Sequence, residues 1–244
     1  MDKMHFSTIS KELREFLVSP EERHLRLVAF HWYIFIAIVL FLSLAVLARF
    51  IPYFSFDLYI TKEFQEQNSA FLFPLFFLVS WIGYLPQFPV IILFCSLFIF
   101  LLGLRWEGLV TCIAGFGSAL VAVLTKEVIN RPRPTVDLVT VLQNLSDTSF
   151  PSGHVLTYTA FFGFMWVLSY ILIKNSLLRK ILLIIFSLIV ILIGPSRIFL
   201  GAHWASDVFG GYLLGSIYLL LVVYFYRWGK SRFFTQQPIA RKAR

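Results

Sequence analysis

Three short blocks hold the residues able to do chemistry. Lys126, Arg131 and Arg133 lie in a stretch that closes on Arg-Pro-Arg-Pro. Ser152, Gly153 and His154 follow Pro151, and Arg197, His203 and Asp207 fall between Ser196 and Asp207. These types suit one task. A phosphate monoester carries about −1.5 to −2 charge near neutral pH. Lys126, Arg133 and Arg197 can match that charge with charge-assisted hydrogen bonds, while the Ser152 hydroxyl and the Gly153 amide add neutral donors. Two histidines remain for making and breaking bonds. A nucleophilic imidazole must be neutral and held through its other nitrogen, which Asp207 can do for His203. The leaving alkoxide needs a protonated acid on the far side of phosphorus, a place suited to His154.

Singly, each block has an ordinary explanation: a helix-end Arg or Lys reaching the interface, a Ser cap, a local His–Asp hydrogen bond. Their coincidence carries the argument, and local physics says how each could present its groups. Lys126 is expected to end a helix, and the alternating prolines keep Arg131 and Arg133 extended, so that both guanidinium groups can turn to a common anion. Ser152 reads as the cap of a helix whose first amides, with Gly153, seat an oxyanion. A helix beginning near His203 would place His203 and Asp207, four apart, on one face.

The sequence here resembles the type 2 phosphatidic acid phosphatase and vanadium haloperoxidase superfamily, in its integral-membrane lipid phosphatase branch. The patterns Lys-x6-Arg-Pro, Pro-Ser-Gly-His and Ser-Arg-x5-His-x3-Asp are matched in order by Lys126 to Pro134, Pro151 to His154 and Ser196 to Asp207, within a core at 71–215. The resemblance implies His203 as the nucleophile forming a phosphohistidine, Asp207 as its orienter and His154 as the general acid. It implies Lys126, Arg133, Ser152, Gly153 and Arg197 as phosphate binders, with no metal and no other cofactor. Arg131 stands outside the pattern and is read as an auxiliary charge.

Such a site must be carried by helices in a membrane. The chain of 244 residues is 59% hydrophobic and 14% charged, with 28 Phe and a mean hydropathy of +0.80. Soluble domains are about 25% charged, so a soluble enzyme is excluded. Cys95 and Cys112 sit in apolar runs and build neither a disulfide framework nor a metal site. Apolar runs at 27–48, 88–104, 108–125, 155–173, 181–194 and 208–228 read as spans, the fifth of them short. The expected fold is an all-α polytopic bundle of six transmembrane helices at 27–228. An interfacial leader helix at 1–26 and a basic cytoplasmic tail at 229–244 flank it. The apolar 71–86, broken by Pro74, Gly83 and Pro86, reads as an interfacial or re-entrant piece before span two.

Charge placement orients the bundle. With both termini cytoplasmic, fifteen of the 21 basic residues fall inside and six outside, against six and seven acids. His31, Trp32 and Tyr33, and Tyr224, Tyr226 and Trp228, read as an inner aromatic belt. The net charge of +8 is therefore an orientation signal and not a nucleic-acid footprint, and the site falls on the extracytoplasmic side of a plasma (inner) membrane. The expected partners are membrane lipids and a lipid phosphate or diphosphate substrate. A lipid phosphotransferase passing the same phosphohistidine to a hydroxyl is the alternative. A transporter would place ionisable groups mid-span, where these runs have almost none. Head-group choice should lie in 137–148 and 57–69, with Asp137 and Asp147 expected as solvated loop acids.

Overall fold

The computed structural model describes residues 20–66, 71–143 and 145–233, and all regular structure among them is helical. The elements are α1 Pro20–Phe50, α2 Ser55–Glu66, α3 Leu72–Trp81, α4 Gln87–Leu101, α5 Arg105–Cys112, a π-helical turn Ile113–Gly117, α6 Ser118–Ile129, α7 Gly153–Leu172, α8 Leu177–Phe199 and α9 Ala205–Phe233. Expected leader residues 1–19 and tail residues 234–244 lie outside the described residues. What is described of the leader runs unbroken into the first span as part of one helix, Pro20–Phe50.

Five of these helices are long and apolar enough to cross a bilayer: Leu27–Phe50, Arg105–Ile129, Gly153–Leu172, Leu177–Phe199 and Ala205–Phe233. The remaining expected span, the second, at 88–104, falls short. Helix α4 has 15 residues, a rise of about 22 Å against a hydrocarbon core of about 30 Å. The 71–86 segment before it forms the 10-residue α3 and a run of turns. Helix α3 lies on the end of α8, with the Phe76 and Phe199 rings 5.3 Å apart and Ser196 Oγ donating to the Phe76 carbonyl at 2.8 Å.

Helix α7 is the axis of the bundle. Its apolar window is 61% buried, whereas the other four spans are 11% to 39% buried and turn Leu, Ile and Phe outward. Helix α9 approaches it through Gly211 and Gly215, where an added Cβ would stand 2.9 Å from the Ser152 and Leu156 carbonyl oxygens. Small residues four apart let helix backbones meet where water provides no drive for association. At the end of the bundle remote from the three blocks, buried Glu107 accepts from Tyr226 (3.1 Å) and Lys230 (2.5 Å). Tyr226 is 4% exposed and so belongs to the core, not to the expected aromatic belt.

The fifth run extends beyond its expected limit. Pro195 should end that helix, since it cannot donate to the Ile191 carbonyl. Instead Tyr212 Oη from α9 donates to the Val190 and Ile191 carbonyls (2.8 and 3.2 Å) and accepts from the Gly194 amide (3.2 Å). The freed acceptor is satisfied from outside the helix, α8 continues to Phe199, and Ser196 and Arg197 ride on its last turn.

Candidate active site

Helix α8 delivers Arg197 as a buried group at the end of a span. Its Nη1 donates to Tyr84 Oη at 2.5 Å, to Gln143 Oε1 at 2.9 Å and to Ser80 Oγ, while Nε and Nη2 have no partner. A guanidinium fixed along one edge therefore keeps its other donors free. The chain then doubles back, with the Ala202 and His203 amides donating to the Arg197 carbonyl at 3.1 and 3.3 Å. Gly201 makes that reversal at φ +64°, where a Cβ would stand 2.1 Å from the Thr140 carbonyl oxygen, a double exclusion that only glycine satisfies.

His203 sits in this turn, 2% exposed, before α9 begins at Ala205. The expected helical face shared with Asp207 is therefore replaced by a cap: Asp207 Oδ2 accepts from the Trp204 amide at 2.8 Å. His203 Nδ1 lies 3.8 Å from Asp207 Oδ2, too long for a direct hydrogen bond. Ser149 fills the gap, its Oγ 3.4 Å from Nδ1 and donating to Asp207 Oδ2 at 2.5 Å. Sequence reasoning missed Ser149, although it lies only two residues before Pro151, where the second block opens. The opposite ring nitrogen, Nε2, faces Arg133 Nη1 at 3.3 Å. Burial first, then the charges of Arg133, Lys126 and Arg197, hold this imidazole well below its usual pKa, so the ring is neutral with Nε2 on the cationic side.

The two arginines between the prolines have different fates. Lys126 lies one turn before the end of its helix, which closes at Ile129 with Asn130 in the left-handed region at φ 51°. Arg133 turns to the site. Arg131, expected as an auxiliary charge there, turns behind Asp207 and is 0% exposed. It donates to Asp207 Oδ1 (2.6 Å), Asp57 Oδ2 (2.9 Å), Ser206 Oγ (2.7 Å) and the Pro52 carbonyl (3.0 Å). Asp57, from α2, also accepts from the Ser206 amide and hydroxyl at 2.8 and 2.7 Å. Its partnership has no signal in local sequence.

The second block reverses an expectation about Ser152. It occupies the cap position of α7 but makes no side-chain cap bond, and its buried Oγ has no partner. His154 Nε2 is likewise buried without a partner, its ring 4.7 Å from that of Tyr84. Gly83 backs this histidine so closely that a Cβ there would lie 2.3 Å from its Cδ2. Ser152 Oγ, His154 Nε2 and the free edge of Arg197 are thus buried polar groups awaiting partners, and in native proteins such groups are few and call for an explanation.

A cavity of about 190 Å³ accounts for two of the three, His154 and Arg197. Lys126, Arg133, Gly153, His154, Arg197 and His203 line it together with Tyr84 and Asp147. It adjoins a groove of about 310 Å³ between α4, α6 and α7, whose walls include Leu85, Phe88, Ile92, Phe116, Ala119 and Val123. Asp147, expected as a solvated loop acid, bridges the two cations: Lys126 Nζ donates to its Oδ2 at 2.9 Å and Arg133 Nη2 to its Oδ1 at 2.6 Å. Burial alone would raise this carboxyl, but Lys126 and Arg133 outweigh it and hold the pKa below the usual value.

A membrane-borne phosphoryl-transfer site is the class these features define. Residues 107–231, more than half the chain, match the PAP2 superfamily, and the chain belongs to it. Phosphatidylglycerophosphatase B of Bacillus subtilis (strain 168) is 35% identical over 121 residues, which are 48% of this chain and 57% of that protein. The match thus spans little more than half the length of this curated relative. The structure resembles that of a transmembrane PAP2-type phosphatidylglycerolphosphate phosphatase from Bacillus subtilis, with a TM-score of 0.72 and 28% identity, covering 83% of this chain and 99% of that one. LpxE of Aquifex aeolicus gives a TM-score of 0.53 at 25% identity, over 71% and 98% of the two chains.

Proposed function

We propose that the protein is a metal-independent membrane phosphatase that removes the terminal phosphate from a lipid phosphate, a monoester of the phosphatidylglycerophosphate type, on the extracytoplasmic face. The observation that carries this reading is the set of unpartnered polar atoms, His154 Nε2 and Arg197 Nε and Nη2, on side chains lining a cavity that opens on an apolar groove, with the unpartnered Ser152 Oγ beside Gly153 of that lining. The phosphoryl group would sit among those donors and the Gly153 amide, with the lipid chain leaving along Phe88 and Ile92. His203 Nε2 then attacks phosphorus as the bond to the lipid oxygen breaks, and His154 gives its proton to the departing alkoxide. The arriving dianion favours the imidazolium form of His154 that this step requires. Water, losing a proton to His154, attacks the phosphohistidine; the P–N bond breaks, phosphate departs and His203 is neutral again. The basic residues of the opposite end, among them Arg105, Arg179, Lys180 and Arg227, support a cytoplasmic placement of that end.

Phosphate release by the full chain in detergent micelles tests the reading, with phosphatidylglycerophosphate, phosphatidate and a prenyl diphosphate as substrates. Wild type should release phosphate with or without EDTA, and His203→Ala should release none. Equal rates from the two proteins would remove His203 as the nucleophile.

A further inference from the structure

Two of the three cations meant for a phosphoryl group already hold an anion. Asp147 spans Lys126 and Arg133 at 2.9 and 2.6 Å, with its side chain 57% exposed at the junction of cavity and groove. The ordinary role for such a carboxylate is to position its cations. Here the backbone already does so. Lys126 Nζ also donates to the Thr148 carbonyl; Arg133 donates through Nε to the Asp147 carbonyl at 2.8 Å and through Nη1 to the Ala202 carbonyl. None of those three acceptors depends on the Asp147 side chain. The carboxylate is therefore superfluous for placing the cations, yet it occupies their anion-facing donors, and its exposure leaves it free to swing outward.

We infer that Asp147 is an internal competitor for the phosphoryl site: its carboxylate fills the Lys126 and Arg133 positions between turnovers, yields them to the substrate phosphoryl group and retakes them as inorganic phosphate leaves. This rests on the phosphatase reading above and adds a selectivity device to it. A singly charged carboxylate is displaced by a phosphoryl group that is nearly doubly charged and has three acceptor oxygens. Weaker monoanions gain little by the exchange. The carboxylate also opposes retention of the phosphate product, so it trades affinity for release.

The sign of one measurement separates this role from a structural one. Inhibition constants for inorganic phosphate and for orthovanadate are measured on wild type, Asp147→Asn and Asp147→Ala in micelles. If the carboxylate competes, both variants bind both anions more tightly, by roughly 5- to 30-fold, the equivalent of one to two kcal/mol of lost competition. KM for the lipid phosphate falls in parallel, and kcat does not rise, because phosphate now leaves more slowly. If Asp147 instead positions Lys126 and Arg133, the variants bind the anions more weakly, and unchanged or weaker inhibition overturns the proposal. Failure of the phosphatase reading shows elsewhere, as wild-type protein that releases no phosphate from any lipid offered.

Discussion

Arg131 offers the sharpest perturbation, because its assigned place behind Asp207 and a place at the phosphate predict opposite outcomes for Arg131→Met. In the structure the guanidinium, the Asp57 carboxylate and the Asp207 carboxylate are each 0% exposed, with contacts of 2.9 and 2.6 Å. Methionine fills much of the volume but leaves two buried carboxylates facing one another. Breaking a buried pair by removing one partner costs about 3–5 kcal/mol. For a chain of this length that amounts to a drop of roughly 6–20 °C in Tm, at about 2–4 °C per kcal/mol. Arg131→Lys should rescue poorly, since one ammonium cannot replace a fork that serves Asp207, Ser206, Asp57 and the Pro52 carbonyl at once. Arg131→Met with Asp57→Asn should recover part of the loss, because one stranded charge is gone. Thermal unfolding in micelles reads all four proteins, with orthovanadate inhibition alongside. A Met variant that melts within about 2 °C of wild type, a shift worth no more than roughly 1 kcal/mol, but binds vanadate poorly would show that Arg131 serves the anion, and the buried network would be wrong.

Two other perturbations follow from the same geometry. The His203 pKa is depressed in the folded protein, so the unfolded chain takes up a proton first as pH falls below about 6.5. Stability from this group is whole above that pH and is lost at about 1.4 kcal/mol per pH unit below it, down to the folded pKa. His203→Gln should therefore lose less thermal stability than wild type between pH 7 and pH 5.5, and an equal loss would contradict a neutral, buried His203. Gly83→Ala places a methyl 2.3 Å from His154 Cδ2 and 2.9 Å from Tyr158 Cε2. A displacement of order 1 Å in a reacting group can lower turnover about a hundredfold, so kcat for phosphate release should fall by that order. Wild-type kcat in this variant would show that the His154 position is not critical.

Local pattern was enough for much of the molecule, and particular residues show where it stopped. Apolar runs long enough to span, the three blocks with Lys126, Arg133, Ser152, His154, Arg197 and His203, and the membership of the superfamily are all readable along the chain, because run length and spacing are one-dimensional quantities. The end of α8 is not. Pro195 is a local stop signal, overruled by Tyr212 from another helix. Nor does the spacing of Arg131 and Arg133 say which one lines the cavity: an extended, proline-locked segment fixes the backbone but not the side to which a long side chain turns. That choice is made by Asp57, 74 residues earlier in the chain, whose buried carboxylate needs a cation. Ser149 and Asp147 belong to the same class, a serine beside a motif and an acid in a loop, given meaning only by the atoms that folding brings against them. The sequence by itself determined that this is a membrane protein of the PAP2 superfamily, with its cations and histidines gathered in three blocks. Only the tertiary structure decided which charges line the cavity and which are spent on each other, since in a low-dielectric interior every ion must find its partner wherever along the chain that partner lies.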